Sequence, residues 1–182
     1  DGLRMLQRGD AEVVLAGATD GALSPLILGS LANAGALAPA GERPASACRP
    51  YDVHRKGMVA SEGAAVFVLE RADDAVRRGA TPLAEVVALG LSCDAYHATA
   101  PQPDGSGMRR AMESALNAAG LLPDEIGWVN AHGSGTKLSD AAEARALRAV
   151  FGDRMPIVSG SKGALGHALG AASALELAIS VA

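Results

Sequence analysis

Asn130-Ala131-His132-Gly133-Ser134-Gly135-Thr136 and Ser161-Lys162-Gly163-Ala164-Leu165-Gly166-His167 decide the fold of this chain. In each, a short apolar run ending in small residues leads to an imidazole, the pattern of a strand handing over to a loop. Between the motifs lie a helical stretch from Asp140 to Phe151 and the strand-like Pro156-Ile157-Val158-Ser159. Parallel strands need a crossover, usually helical, so this passage predicts that the second strand returns beside the first. Both histidines then fall at the same end of one sheet. Catalytic groups concentrate on loops carried by a rigid scaffold, and two neutral imidazoles can each donate an N–H to a developing oxyanion. Either histidine alone reads as a satisfied loop residue. The two together, with Lys162 five residues before His167, point to paired electrophilic catalysis.

Working outward, the opening helix ends at Gly9, and Glu12-Val13-Val14-Leu15-Ala16-Gly17 reads as a buried strand. A helix follows over Ser24 to Ala36 with Pro25 in its first turn. Residues 37 to 61 are a loop-rich connection. Ala64 to Glu70 is the clearest strand, a charged helix runs from Asp73 to Arg78, and Val86-Val87-Ala88-Leu89 predicts another strand. From Gly105 to Ala119 the pattern is an amphipathic helix, with Met108, Met112, Ala115, Leu116 and Ala119 on one face and Gly120 as its stop. Ile126 to Asn130 is the strand that delivers His132, and Ala172 to Ala182 is a closing helix. Alternating strands and helices imply an α/β fold with a parallel-rich sheet covered by helices.

Hydrophobic residues make up 49% of the 182 residues, yet no uninterrupted apolar run is long enough to span a bilayer, and the start lacks a basic region followed by an apolar one. The expectation is a cytoplasmic protein with no membrane partner. A net charge of −4 argues against nucleic acid, which needs a basic stripe. Cys48 and Cys93 form no CxxC pair, so neither a disulfide framework nor a zinc site is indicated. Gly160, Gly163 and Gly166 lack the spacing of a phosphate-cradling loop; they suit close approach of backbone to a ligand.

Further motifs accompany the histidines: Arg49-Pro50-Tyr51-Asp52 leading to Arg55-Lys56-Gly57-Met58, Glu62-Gly63-Ala64-Ala65, and Ser92-Cys93-Asp94-Ala95-Tyr96-His97 with Thr99 and Pro101. Over nearly its whole length the chain resembles the C-terminal portion of a β-ketoacyl-acyl-carrier-protein synthase, an elongating type II condensing enzyme of the thiolase-like superfamily. The resemblance implies an incomplete thiolase-like αβαβα layered fold, with residues 1–82 the remainder of the N-terminal half and 83–182 a truncated C-terminal half. It implies decarboxylative Claisen condensation of malonyl-carrier protein with an acyl-enzyme, in fatty-acid or polyketide chain elongation.

The same resemblance assigns roles. His132 and His167 bind the malonyl thioester carbonyl and stabilise the enolate released on decarboxylation. Lys162 ties the second histidine loop, Glu176 receives it from the following helix, and Asn130 supports the first histidine. Ser134, Thr136 and Thr99 contact the pantetheine arm. No cofactor and no metal are implied, since substrates travel on the phosphopantetheine of acyl carrier protein. Arg4, Arg8, Arg109 and Arg110 are candidates for its docking, or ordinary solvated helix charges. A homodimer or a ketosynthase heterodimer is expected. Ser134 replaces the usual threonine and keeps the hydroxyl, whereas Met58 and Ser61 replace the usual phenylalanine and glycine and alter the expected pocket.

The family's nucleophilic cysteine sits at the start of a helix whose later turns resemble Gly2 to Asp10, so it is expected ahead of residue 1. Cys48, in Ala45-Ser46-Ala47-Cys48, only mimics that motif. A reactive cysteine wants a helix N-terminus, and Arg49-Pro50 follows at once, where the residue before proline is pushed out of helical geometry. Cys93 is likewise given no catalytic role. The closing helix has no glycine stop, and the family's gating loop is expected beyond Ala182; the chain reads as a fragment truncated at both ends, inactive alone. The rival reading is a noncatalytic chain-length-factor-like partner subunit. Retention of His132, His167 and Lys162 favours catalysis.

Overall fold

The computed structural model describes every residue except Ala22, Ala40 and Glu42, so two positions of the expected 37–61 connection lie outside the described residues. Helix α1 (Gly2–Arg8) ends where Gly9 turns left-handed at φ 77° and returns its N–H to Leu6 and Met5, the glycine stop that such an end favours. Strand β1 (Val13–Asp20) pairs antiparallel along its full length with β2 (Gly63–Glu70), from Val13 opposite Glu70 to Asp20 opposite Gly63. The strand thus continues past Gly17. That glycine marks a close approach rather than an end, because a Cβ there would lie 2.3 Å from the Ala65 carbonyl oxygen.

Strict alternation divides this ribbon into two faces. One carries Val14 and Leu69, and α1 rests on it so closely that a Cβ on Gly2 would lie 3.1 Å from Leu69 and 3.2 Å from Val14. The other carries Val13, Leu15, Val66 and Val68, at 54%, 72%, 67% and 60% exposure. Along the chain, α2 (Pro25–Asn33), whose Ser24 cap accepts from Ile27 N–H, follows β1, and α3 (Ala72–Arg77) follows β2.

Two sequence expectations are corrected here. A parallel-rich sheet is realised only in the second strand pair, since β1 and β2 run antiparallel. Val86 to Leu89 is not a strand. An apolar run suits a strand, but a ladder needs a partner with free N–H and C=O groups, and among the described residues no strand pairs with this segment. It runs instead against α4 (Ser106–Ala119), where a Cβ on Gly90 would meet the Ala111 carbonyl oxygen at 1.9 Å.

Helix α4 ends at left-handed Gly120 and packs on α5 (Lys137–Phe151), whose buried face is Asp140, Ala142, Glu143, Ala146, Leu147 and Phe151. Strands β3 (Trp128–Asn130) and β4 (Ile157–Ser159) flank α5 and pair in parallel, Trp128 with Ile157 and Asn130 with Ser159, as the crossover predicts. A single helical turn, α6 (Lys162–Leu165), and α7 (Ala172–Val181) complete the chain. Much of the buried core is alanine, including Ala131, Ala142, Ala146, Ala168 and Ala171, so the packing brings backbones close and tolerates little added volume.

Gly105 shows the consequence. It caps α4 at φ 71°, and a Cβ there would lie 2.2 Å from the Ala142 carbonyl oxygen of α5. Gly105→Ala should therefore destabilise the fold by about 2 kcal/mol or more, combining a left-handed non-glycine residue with a backbone clash. Chemical denaturation reads this directly; a change within about 0.5 kcal/mol, the range of an ordinary surface substitution, would contradict the packing described.

Candidate active site

Strand β3 extends by one more ladder bond, from Ala131 N–H to the Ser159 carbonyl at 2.7 Å, before the chain turns to His132. The His132 peptide is then held from both sides. Its N–H donates to Glu143 Oε1 at 2.6 Å, and its carbonyl accepts from Lys162 Nζ at 2.6 Å. Lys162 is 1% exposed and also donates to Glu176 Oε1 at 2.6 Å. A buried ammonium is costly unless paired and hydrogen-bonded; the carboxylate and the carbonyl meet that need. Asn130 Nδ2 donates to the Glu176 carbonyl at 3.2 Å and to Ser180 Oγ at 2.8 Å, fastening the end of β3 to α7.

His167 is reached from β4 through the turn of α6, so it does not follow its strand directly as His132 does. Its backbone lies in a parallel bridge with residues 59–61: its N–H donates to the Val59 carbonyl at 2.7 Å, and its carbonyl accepts from Ser61 N–H at 3.0 Å. Gly166 permits this approach at φ 75°, where a Cβ would lie 2.9 Å from the Val59 oxygen. The rings of His132 and His167 meet edge to face, with centroids 5.2 Å apart and planes at 76°.

His167 Nδ1 accepts the Leu169 N–H at 3.1 Å, which assigns the proton of the neutral ring to Nε2. Burial, then His132 and Lys162, push its pKa down to about 4. The His132 pKa is also lowered: it is surface-accessible, but desolvation by the surrounding protein leads, followed by the Lys162 charge, with Glu143 opposing. Two neutral imidazoles therefore stand side by side at pH 7.

Three further residues, Asp140, Glu143 and Tyr51, build this site, and none was assigned a role from the sequence. Asp140 and Glu143 lie three residues apart on the buried face of α5 and hold the histidine loop from below. Glu143 also accepts Gly133 N–H at 2.9 Å. Asp140, 1% exposed, accepts Gly135 N–H at 3.0 Å, Ser134 Oγ at 3.2 Å and Tyr51 N–H at 2.7 Å, with Arg55 Nε at 3.4 Å. Tyr51 donates its hydroxyl to Glu143 at 2.6 Å. The available signal was the acidic pair at i, i+3 in the helix that follows the histidine motif.

The three residues expected at the pantetheine arm lie in two places. Ser134 is 3% exposed and bonds to Asp140 and Thr136, while Thr136 caps α5 by accepting Ser139 N–H at 3.3 Å. Both hydroxyls thus secure the loop to α5. Thr99 is exposed, and its N–H donates to His97 Nδ1 at 3.1 Å. The Cys48 thiol is half-buried and its pKa is raised, chiefly by burial, the opposite of an activated nucleophile. Cys93 is exposed. Arg8 pairs with Asp10, Arg109 with Glu113, and Arg110 donates to the Cys93 carbonyl.

Comparison with known proteins bears on the family and the fold. The beta-ketoacyl synthase N-terminal domain model matches residues 2–75 and the C-terminal domain model residues 83–182. The 3-oxoacyl-[acyl-carrier-protein] synthase 2 of Coxiella burnetii is 43% identical over 180 residues, which cover 98% of this chain and 44% of that protein. A beta-ketoacyl synthase from Burkholderia phymatum superposes with a TM-score of 0.93 at 39% identity, over 99% of this chain and 43% of its own. AntDE:AntF, described as a type II PKS acyl-carrier protein in complex with its ketosynthase bound to the hexaketide, superposes at 0.96 with 33% identity, over 99% and 45%. The fold is that of these ketosynthases, and the chain spans less than half the length of the relatives it matches.

The electrostatics are open to direct measurement. Nitrogen NMR of the imidazoles should place the His167 midpoint at about 4; a midpoint near the ordinary ~6.5 would contradict the burial and charge described. Because the folded value lies below the unfolded one, the stability linked to His167 is complete above about pH 6.5 and is lost as pH falls toward 4.

Proposed function

The chain belongs to the β-ketoacyl synthase family, and from that premise we propose that the complete protein condenses malonyl-carrier protein with an acyl group held on a cysteine thioester. In the decarboxylation step the bond between the α-carbon and the carboxylate breaks, carbon dioxide leaves, and the electron pair forms an enolate on the thioester. The enolate carbon then attacks the acyl thioester, and the cysteine leaves as thiolate. The observation that carries this reading is the pair of neutral imidazoles at 5.2 Å, with the His167 proton assigned to Nε2. Donors fixed in advance where negative charge develops lower the barrier without reorganisation.

An apolar cavity of about 250 Å³, lined in part by Leu28, Leu37, Ala47, Met58 and Val59, lies beside the segment that pins His167. Its lining supports a hydrocarbon acyl group, of the fatty-acid or polyketide kind, and Met58 is one wall of it. Among the described residues no helix is long and apolar enough to cross a membrane, which accords with a cytoplasmic enzyme fed by acyl carrier protein. The exposed apolar face of the β1–β2 ribbon supports further protein packed against it, from the rest of the protein and from a homodimeric or heterodimeric partner. Thr136 and Thr99 remain proposed contacts for the pantetheine arm, with Ser134 acting through the loop.

In the full-length protein, His132→Ala or His167→Ala should each slow malonyl decarboxylation by about 10²–10³-fold, the scale for losing one oxyanion donor. Cys48→Ser should leave acyl transfer and carbon dioxide release near their original rates. Separate assays of the two partial reactions decide the matter. No carbon dioxide release by the unsubstituted protein would favour the noncatalytic partner subunit, and undiminished release in both histidine variants would contradict the assignment.

A further inference from the structure

Tyr51 packs beside the His132 loop in a strained backbone conformation. Its φ of 62° is left-handed, a conformation rare for a bulky aromatic residue and sustained only where surrounding structure imposes it. What imposes it is α5. Asp140 accepts the Tyr51 N–H at 2.7 Å, and Glu143 accepts its hydroxyl at 2.6 Å. The ring meanwhile lies over Gly133, where a Cβ would come within 3.2 Å of it.

Packing on Gly133 requires only the ring, so the hydroxyl needs a separate explanation. Its acceptor, Glu143 Oε2, is the oxygen that also receives Gly133 N–H, and the other oxygen of the same carboxylate receives His132 N–H. Glu143 is 8% exposed and has no cation paired with it among the described residues; its three donors are two backbone amides and this phenol. Burial and the adjacent carboxylate raise the phenol pKa, so the hydroxyl keeps its proton and remains a donor. The charge-assisted bond fixes where Glu143 stands, and Glu143 fixes the peptide that carries the His132 ring.

We infer that the Tyr51 hydroxyl is a positioning group for the decarboxylation step, acting through Glu143 on the direction of the His132 donor. The inference rests on the proposed function, and it distinguishes His132 from His167, whose backbone is pinned by residues 59–61. Acyl transfer to the cysteine is independent of this contact.

Tyr51→Phe keeps the ring and removes only the donor. In the full-length protein it should lower the kcat of malonyl decarboxylation about tenfold, the scale of one hydrogen bond to a charged group, with KM and acyl transfer each changed less than about twofold. Glu143→Gln, which places an amide N–H against a backbone N–H, should cost more. Adding Tyr51→Phe to it should cost less than about twofold further, because the path is then already broken. Full decarboxylation in Tyr51→Phe would overturn the inference, as would additive losses, or a parallel fall of both partial reactions accompanied by a lower melting temperature. If the unsubstituted protein releases no carbon dioxide, the functional reading fails and Tyr51 is judged by nitrogen NMR alone. The His132 imidazole resonances should then shift in Tyr51→Phe while those of His167 hold; unmoved His132 resonances would overturn the inference.

Discussion

The site depends on one buried ammonium. Lys162 is 1% exposed and joins three parts of the chain: α6, from which it projects, the carbonyl of His132 at the exit of β3, and Glu176 on α7. Breaking a buried ion pair by removing one partner is worth about 3–5 kcal/mol, far more than a surface contact, so these parts hold one another in register. The alanine-rich packing and the parallel β3–β4 pair bring the two histidine loops to one end of the sheet. Lys162 then fixes their separation, and Asn130 repeats the attachment to α7 from the strand side.

The same charge shapes the chemistry. A neighbouring cation and desolvation both disfavour an imidazolium, and each acts on both histidines. Glu143 partly offsets this at His132 while holding its backbone. The outcome is two uncharged imidazoles rather than an acid and a base, an arrangement suited to the proposed reaction, in which charge appears on a thioester oxygen and is absent before it.

Local signals in the sequence carried much of the framework. Gly9 and Gly120 end helices as their positions imply, Pro25 opens α2, and the helical crossover between the histidine motifs yields the parallel pair. Partner identity was not legible. The apolar runs in Val13 to Asp20 and Gly63 to Glu70 mark strands but not their direction, and the similar run at Val86 to Leu89 finds no ladder at all among the described residues. Tyr51 was opaque for a related reason. Its acceptor lies 92 residues away, and no local pattern links the two. Ser134 and Thr136 show the converse limit: hydroxyls at that spacing suit a ligand or a helix cap equally, and here they cap and brace α5.

The central claim, that His132 and His167 together grip one thioester oxygen, is tested most directly by a crystal structure of the full-length protein with a malonyl-pantetheine mimic in which an amide replaces the thioester. The account predicts its carbonyl oxygen at about 2.7–3.2 Å from a ring nitrogen of His132 and from His167 Nε2. An oxygen that touches neither imidazole, or only one while the other faces away, would contradict it.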